Sequence, residues 1–124
     1  MKNYIKKIAG VALLATMAST SYAAKSVTIG ELQGFTGPLE SMIPAMTGGA
    51  NLAVTEANAS GKYLQGTINV VQGDSVCVDA AVAIAQAEKM VNEDNVIAIM
   101  GPNCSGNTMA VITGVVVPNG ILSI

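Results

Sequence analysis

The 124-residue chain has no histidine, no tryptophan and no arginine, and its only phenylalanine is Phe35. Without histidine, the usual base that activates a serine or cysteine nucleophile is missing, and zinc sites built from His and Cys are excluded with it. Without arginine, and with lysines too few to cluster beyond the first seven residues, nothing can track a phosphate backbone, and one Phe offers little for bases to stack on. Nucleic acid is therefore not an expected partner. Two carboxylates could in principle serve acid/base chemistry, but Asp74 and Asp79 read more simply as a strand-end residue and a helix cap. The chain is expected not to be an enzyme.

What is present begins with a segment that fixes the compartment. Lys2, Lys6 and Lys7 precede an apolar run from Ile8 to Ala18, followed by small residues through Ser21-Tyr22-Ala23. This is the pattern of a secretory signal peptide over residues 1–23, with Ala24 as the mature start. The apolar run is too short to span a bilayer as a helix, although an uncleaved anchor is the alternative reading. No cysteine follows the cleavage site, so a free periplasmic protein is expected rather than a lipidated one. Once the segment is removed, Lys25, Lys62 and Lys89 face eight carboxylates, a net charge of −5. The roughly 101 residues that remain can bury one core, but fall short of the roughly 250 that two lobes need. The apolar run Gly120–Ile124 stops without a closing turn and reads as the end of an incomplete domain.

Along the mature chain the hydrophobic period alternates between strand and helix. Val27–Leu32, Ile68–Val71 and Val96–Met100 are apolar runs suited to buried strands, and Gly120–Ile124 is a fourth. Between Pro44 and Ala59 the residues Met46, Ala50, Ala53 and Ala57 form a helical stripe that Ser60-Gly61 ends. Asp79 can cap a second helix with the stripe Ala80, Ile84, Ala87 and Val91. A third helix is expected over 107–116, although its valines favour strands and Gly114 interrupts it. Alternation of this kind predicts an α/β fold, a parallel sheet with helices on both faces.

In such sheets ligands bind beyond the carboxyl ends of the strands, where the strand order reverses. With the order 2-1-3-4, the loops Gln33–Pro38 and Gly101–Thr108 would line one crevice. Both are rich in glycine and hydroxyl groups, and backbone N–H groups at a helix start suit a carboxylate or phosphate. Ser105 would offer its hydroxyl and its N–H; alternatively it merely caps the helix and the glycines make turns. Gly101, Gly106 and Thr108 have P-loop spacing, but Asn107 stands where the phosphate-binding lysine belongs, so a nucleotide is rejected. Cys77 and Cys104 are the only cysteines, and an even pair in an exported chain points to one disulfide, the alternative being two free thiols. Their strands lie two spacings apart, roughly 10 Å, so the loops would have to close the gap.

Taken in order, Ile29-Gly30, Phe35-Thr36-Gly37-Pro38, Asp74 with Cys77, Val96–Gly101, Cys104-Ser105 and Val117–Ile121 resemble the leading part of a known family. They are similar to the periplasmic binding proteins of branched-chain amino acid ABC transporters. The resemblance runs from Val27 onward and implies the first part of a two-lobed type I periplasmic binding protein. It implies a small solute such as an amino acid, bound between lobes and handed to an inner-membrane permease, with no metal or coenzyme and a monomeric state. It further implies a ligand site at Ser105, Gly106, Asn107, Thr36 and Met42, and a Cys77–Cys104 disulfide. Met42 stands where some members place an aromatic residue, which departs from an ordinary leucine or valine preference. The same fold also serves as the extracytoplasmic ligand-binding domain of sensors, the second function to be weighed.

Overall fold

A computed structural model describes residues 26–62 and 66–124. The signal-peptide reading of residues 1–23 lies outside the described residues. Four parallel strands, β1 (Val27–Gln33), β2 (Ile68–Asp74), β3 (Ala98–Met100) and β4 (Leu122–Ser123), form one sheet in the order β2-β1-β3-β4. The expected order is met. Helices α1 (Ile43–Ser60), α2 (Ala80–Asn92) and α3 (Ser105–Val111) connect the strands, and a 3-10 turn (Glu40–Met42) leads into α1. β1 and β2 run further than their apolar residues predicted, ending at Gln33 and Asp74, because the ladder continues through polar residues to the pair Gln33↔Asp74.

The core lies on one face of the sheet, between it and α2 and α3. Leu32, Ile99, Ala83, Ala87, Val111 and Val115 are all 0–1% exposed there. The small pair Ala83 and Ala87, one turn apart, lets α2 come close to the strands. Glycine on the strands completes the approach: a Cβ at Gly30 would sit 2.7 Å from Met90 Sδ, and one at Gly73 only 2.8 Å from Met90 Cε. Asp79 starts α2 as expected, its Oδ1 accepting the N–H of Ala81 at 2.8 Å and of Val82 at 3.4 Å.

The other face is less covered. Residues alternate across a strand, so Glu31 and Gln33 point away from Leu32, and α1 lies on their side. Of the stripe Met46, Ala50, Ala53 and Ala57, Met46 is 41% exposed and Ala53 is exposed. The covered residues are Ile43, Thr47, Ala50, Val54 and Ala57, a stripe rotated by part of a turn. The cause is that α1 packs toward the β2 side, where Asn58 binds both the N–H and the C=O of Ile68 at 2.8 and 3.0 Å. Burial of every strand on both faces is therefore not met, and Leu122 and Ile124 stand 69% and 87% exposed. Glu31 is 1% exposed in the central strand, and its Oε2 accepts from Gln72 Nε2 at 2.8 Å.

The third helix differs from its expected span. It begins at Ser105, passes through a π-helical stretch (Ile112–Val116) and ends as α4 (Val117–Asn119), with Gly120 left-handed at φ 63°. Gly114 does not break it. Pro118 has no N–H to give and its ring crowds the carbonyl four residues back, that of Gly114; widening the preceding turn relieves the crowding.

Leu32 joins the central strand to both α2 and α3, so its truncation tests this packing. Leu32→Ala should lower the unfolding free energy by about 2–5 kcal/mol, read from a urea midpoint at unchanged slope. A loss below about 0.5 kcal/mol would contradict the core assignment.

Candidate functional site

Three loops meet at the carboxyl ends of β1, β2 and β3. The loop after β2 does not stay over its own strand. Ser75, 0% exposed, donates its N–H to Gln33 O at 2.7 Å, and its carbonyl accepts from Asn107 Nδ2 at 2.8 Å. It thus crosses the end of β1 and reaches the first turn of α3. Val76 and Cys77 then turn back with φ of 48° and 68°, left-handed values that a β-branched residue such as Val76 rarely adopts. This lean closes the two-strand gap, and Cys77 and Cys104 are disulfide-bonded with Cα atoms 5.4 Å apart.

The loop after β1 is held from both sides. Gly34 N donates to Asn103 Oδ1 at 3.0 Å, joining it to the loop after β3. Thr36 donates its hydroxyl to Asp74 Oδ2 at 2.6 Å and its N–H to Asp74 Oδ1 at 3.3 Å, joining it to the loop after β2. Asp74 Oδ1 also accepts from Val76 N at 2.9 Å. Gly37 is left-handed at φ 96°, and a Cβ there would come 2.8 Å from Val76 O. Partial burial raises the Asp74 pKa, but hydrogen bonds from the Thr36 hydroxyl and from the N–H groups of Val76, Thr36 and Phe35 outweigh it, and the net shift is downward.

Between the β1 and β3 loops, on the α1 side, lies a groove of about 500 Å³. Gln33, Gly101 and Asn103 line it together with Met46, Ala50 and Ile124. Of the two stretches expected to share a crevice, the first contributes only Gln33 and the second Gly101, Pro102 and Asn103. Thr36, Met42, Ser105 and Gly106 are not in this lining; they are exposed on the same loops, Met42 at 56% on the 3-10 turn before α1. Ser105 is the first residue of α3, whose N-cap is Cys104, and no side-chain cap bond is made at this terminus. Asn107, expected among the ligand residues, is 3% exposed and donates its amide to Ser75 O at 2.8 Å, so its side chain braces the loop from inside. Asp74, read from the sequence as a strand-end residue, turns out to hold two loops. Its place just past the β2 run, with Thr36 at the matching end of β1, was the available signal.

A model of a family described as a periplasmic binding protein matches residues 26–124. The chain belongs to this periplasmic binding protein family. A Leu/Ile/Val-binding protein homolog 7 of Brucella suis is 31% identical over 105 residues, which are 85% of this chain and 26% of that protein. An amino acid binding protein of Pseudomonas aeruginosa is 31% identical over 108 residues, 87% of this chain and 29% of that one. Among solved structures, the branched-chain amino acid transporter substrate binding protein LivJ of Streptococcus pneumoniae, in complex with isoleucine, aligns with a TM-score of 0.71 and 33% identity. That alignment covers 80% of this chain and 28% of LivJ. A leucine binding protein of Thermotoga maritima, at 20% identity and a TM-score of 0.69, shares the fold. The chain spans about a quarter of the length of the curated relatives it matches.

Within this periplasmic binding protein fold the disulfide closes a loop of sequence separation 27. Replacing both cysteines with serine should lower stability by about 3 kcal/mol in the chain-entropy account, seen as a lower urea midpoint under non-reducing conditions. An unchanged midpoint would remove the disulfide from the forces holding the loops. For Asp74 the lowered folded pKa means that its contribution is complete above the ordinary value of 3.8 and is lost as pH falls through the folded value. Acid titration of stability should therefore decline less steeply below that pH in Asp74→Asn than in the wild type, and parallel curves would contradict the clamp.

Proposed function

We propose that this chain is the solute-recognising part of an exported binding protein that takes an amino acid or related small solute and passes it to an ABC permease in the inner membrane. On this reading residues 1–23 are removed, residues 24–124 form the leading part of the ligand-binding domain, and the protein works as a monomer in the periplasm. No covalent chemistry is involved, because the task is capture and release. The observation that supports the reading most is the convergence of the β1 and β3 loops at the point where strand order reverses, in a chain one-third identical to LivJ over the matched segment.

The solute carboxylate is assigned to Ser105. Its hydroxyl is not used as a helix cap, and the unpaired N–H groups of the first helical turn lie beside it. Gly106 is exposed, and a Cβ there would meet nothing within 4 Å, so the backbone is open to a ligand. Thr36 and Met42 bound the same end of the sheet, with Met42 offering a flexible apolar surface to the solute side chain. In a protein of the relatives' length, a second lobe would supply the facing wall.

Isothermal calorimetry against isoleucine, leucine, valine and small amides tests this. At least one should bind, and Ser105→Ala should weaken it by about 1–3 kcal/mol, the usual cost of removing a hydrogen bond to a charged group. Binding that Ser105→Ala leaves unchanged would refute the carboxylate assignment, and binding of none would count against solute recognition by this chain.

A further inference from the structure

We infer that Asp74 is a positioning residue that turns Thr36 into a hydrogen-bond acceptor toward the site, so that the solute group met there is a donor, an ammonium or amide N–H. The inference rests on the proposed function and sharpens it. A threonine hydroxyl has one proton. Here that proton is committed at 2.6 Å to Asp74 Oδ2, and the Thr36 N–H goes to Asp74 Oδ1. The other near donors are turned to the same carboxylate, the Val76 N–H at 2.9 Å and the Phe35 N–H beside it. Thr36 Oγ1 therefore presents only lone pairs outward, backed by a negative charge.

No basic side chain among the described residues pairs with that carboxylate. Among the described residues the ion pair is Lys89–Asp94, at the far end of α2, and Lys62 follows the end of α1, beyond the amino ends of the strands. A carboxylate or carbonyl at Thr36 would meet an acceptor beside an anion, whereas an N–H donor would gain a charge-assisted partner. The polarity is opposite to that at Ser105. The two loops, tied through Asp74, Val76 and the Cys77–Cys104 disulfide, would thus be built for a solute with unlike ends.

The test compares isoleucine with its ammonium-free analogue 3-methylpentanoate, by calorimetry, on wild type, Asp74→Asn, Thr36→Val and Thr36→Ser. Isoleucine should weaken about tenfold or more in the first two variants and bind normally to Thr36→Ser, while 3-methylpentanoate changes by less than about twofold throughout. Parallel loss of both probes, or no loss of isoleucine, would overturn the inference. If the wild type binds neither probe, the proposed function is what has failed for these solutes, and the Thr36 hydroxyl then decides. A slowly exchanging hydroxyl proton in the wild-type NMR spectrum, absent in Asp74→Asn, supports the positioning, and its absence from wild type overturns it.

Discussion

Everything at the carboxyl end of the sheet depends on Ser75 crossing the end of β1. In the order β2-β1-β3-β4, the strands that carry the two cysteines are not neighbours, and a straight exit from β2 would leave Cys77 too far from Cys104 to bond. Ser75 starts the lean, its N–H continuing the β1–β2 ladder to Gln33 and its carbonyl accepting from the Asn107 amide, and Cys77 then lies against Gly34 at the end of β1. Because both groups are bonded, the crossing can be buried without leaving backbone polar groups unmatched. The left-handed turn at Val76 and Cys77 that follows is unfavourable by about 1–3 kcal/mol per residue. It persists because the Asp74 carboxylate fixes Val76 and the disulfide fixes Cys77, so neither can relax without the other.

The sequence made the α/β alternation, the cap at Asp79 and the pairing of the cysteines legible, because each rests on a local rule: alternation of periods, an N-cap preference, and redox compartment. What it left unread required knowing which way a loop leans. Asn107 entered the ligand set through the resemblance; only the placement of Ser75 shows that its amide is engaged inside. Asp74 looked like the end of a strand, and its hold on Thr36 spans 38 residues of sequence, a distance that no periodicity reports. The stripe on α1 failed differently. Alanine is a good helix former on any face, so an alanine-rich helix does not announce which side it buries.

The two faces of the sheet play unequal parts. On one, glycines at 30 and 73 and alanines at 83 and 87 let α2 close on the strands, and the buried core with α3 fixes where the loops begin. On the other, α1 leans toward β2 and leaves a groove beside the ends of β1 and β3 and the residue after β4, with the polar Glu31 and Gln33 of β1 on that side. The loops therefore gain little order from being covered, and must be fixed by bonds among themselves.

That division bears on how such a site can bind a small solute. Ordering a flexible loop at the moment of binding subtracts from affinity, by about 0.5–1.5 kcal/mol for each side chain immobilised. Here the ordering is done at folding: Gly34 is bonded to Asn103, Thr36 to Asp74, Asn107 to Ser75, and the second loop is joined covalently to the third. Ser105 and Gly106 sit at the free edge of this braced set, exposed and without competing bonds from a cap. On the proposed function, a solute arriving at that edge would meet donors and acceptors whose positions were set before it came, so the free energy of each contact would go into holding the solute instead of assembling the site.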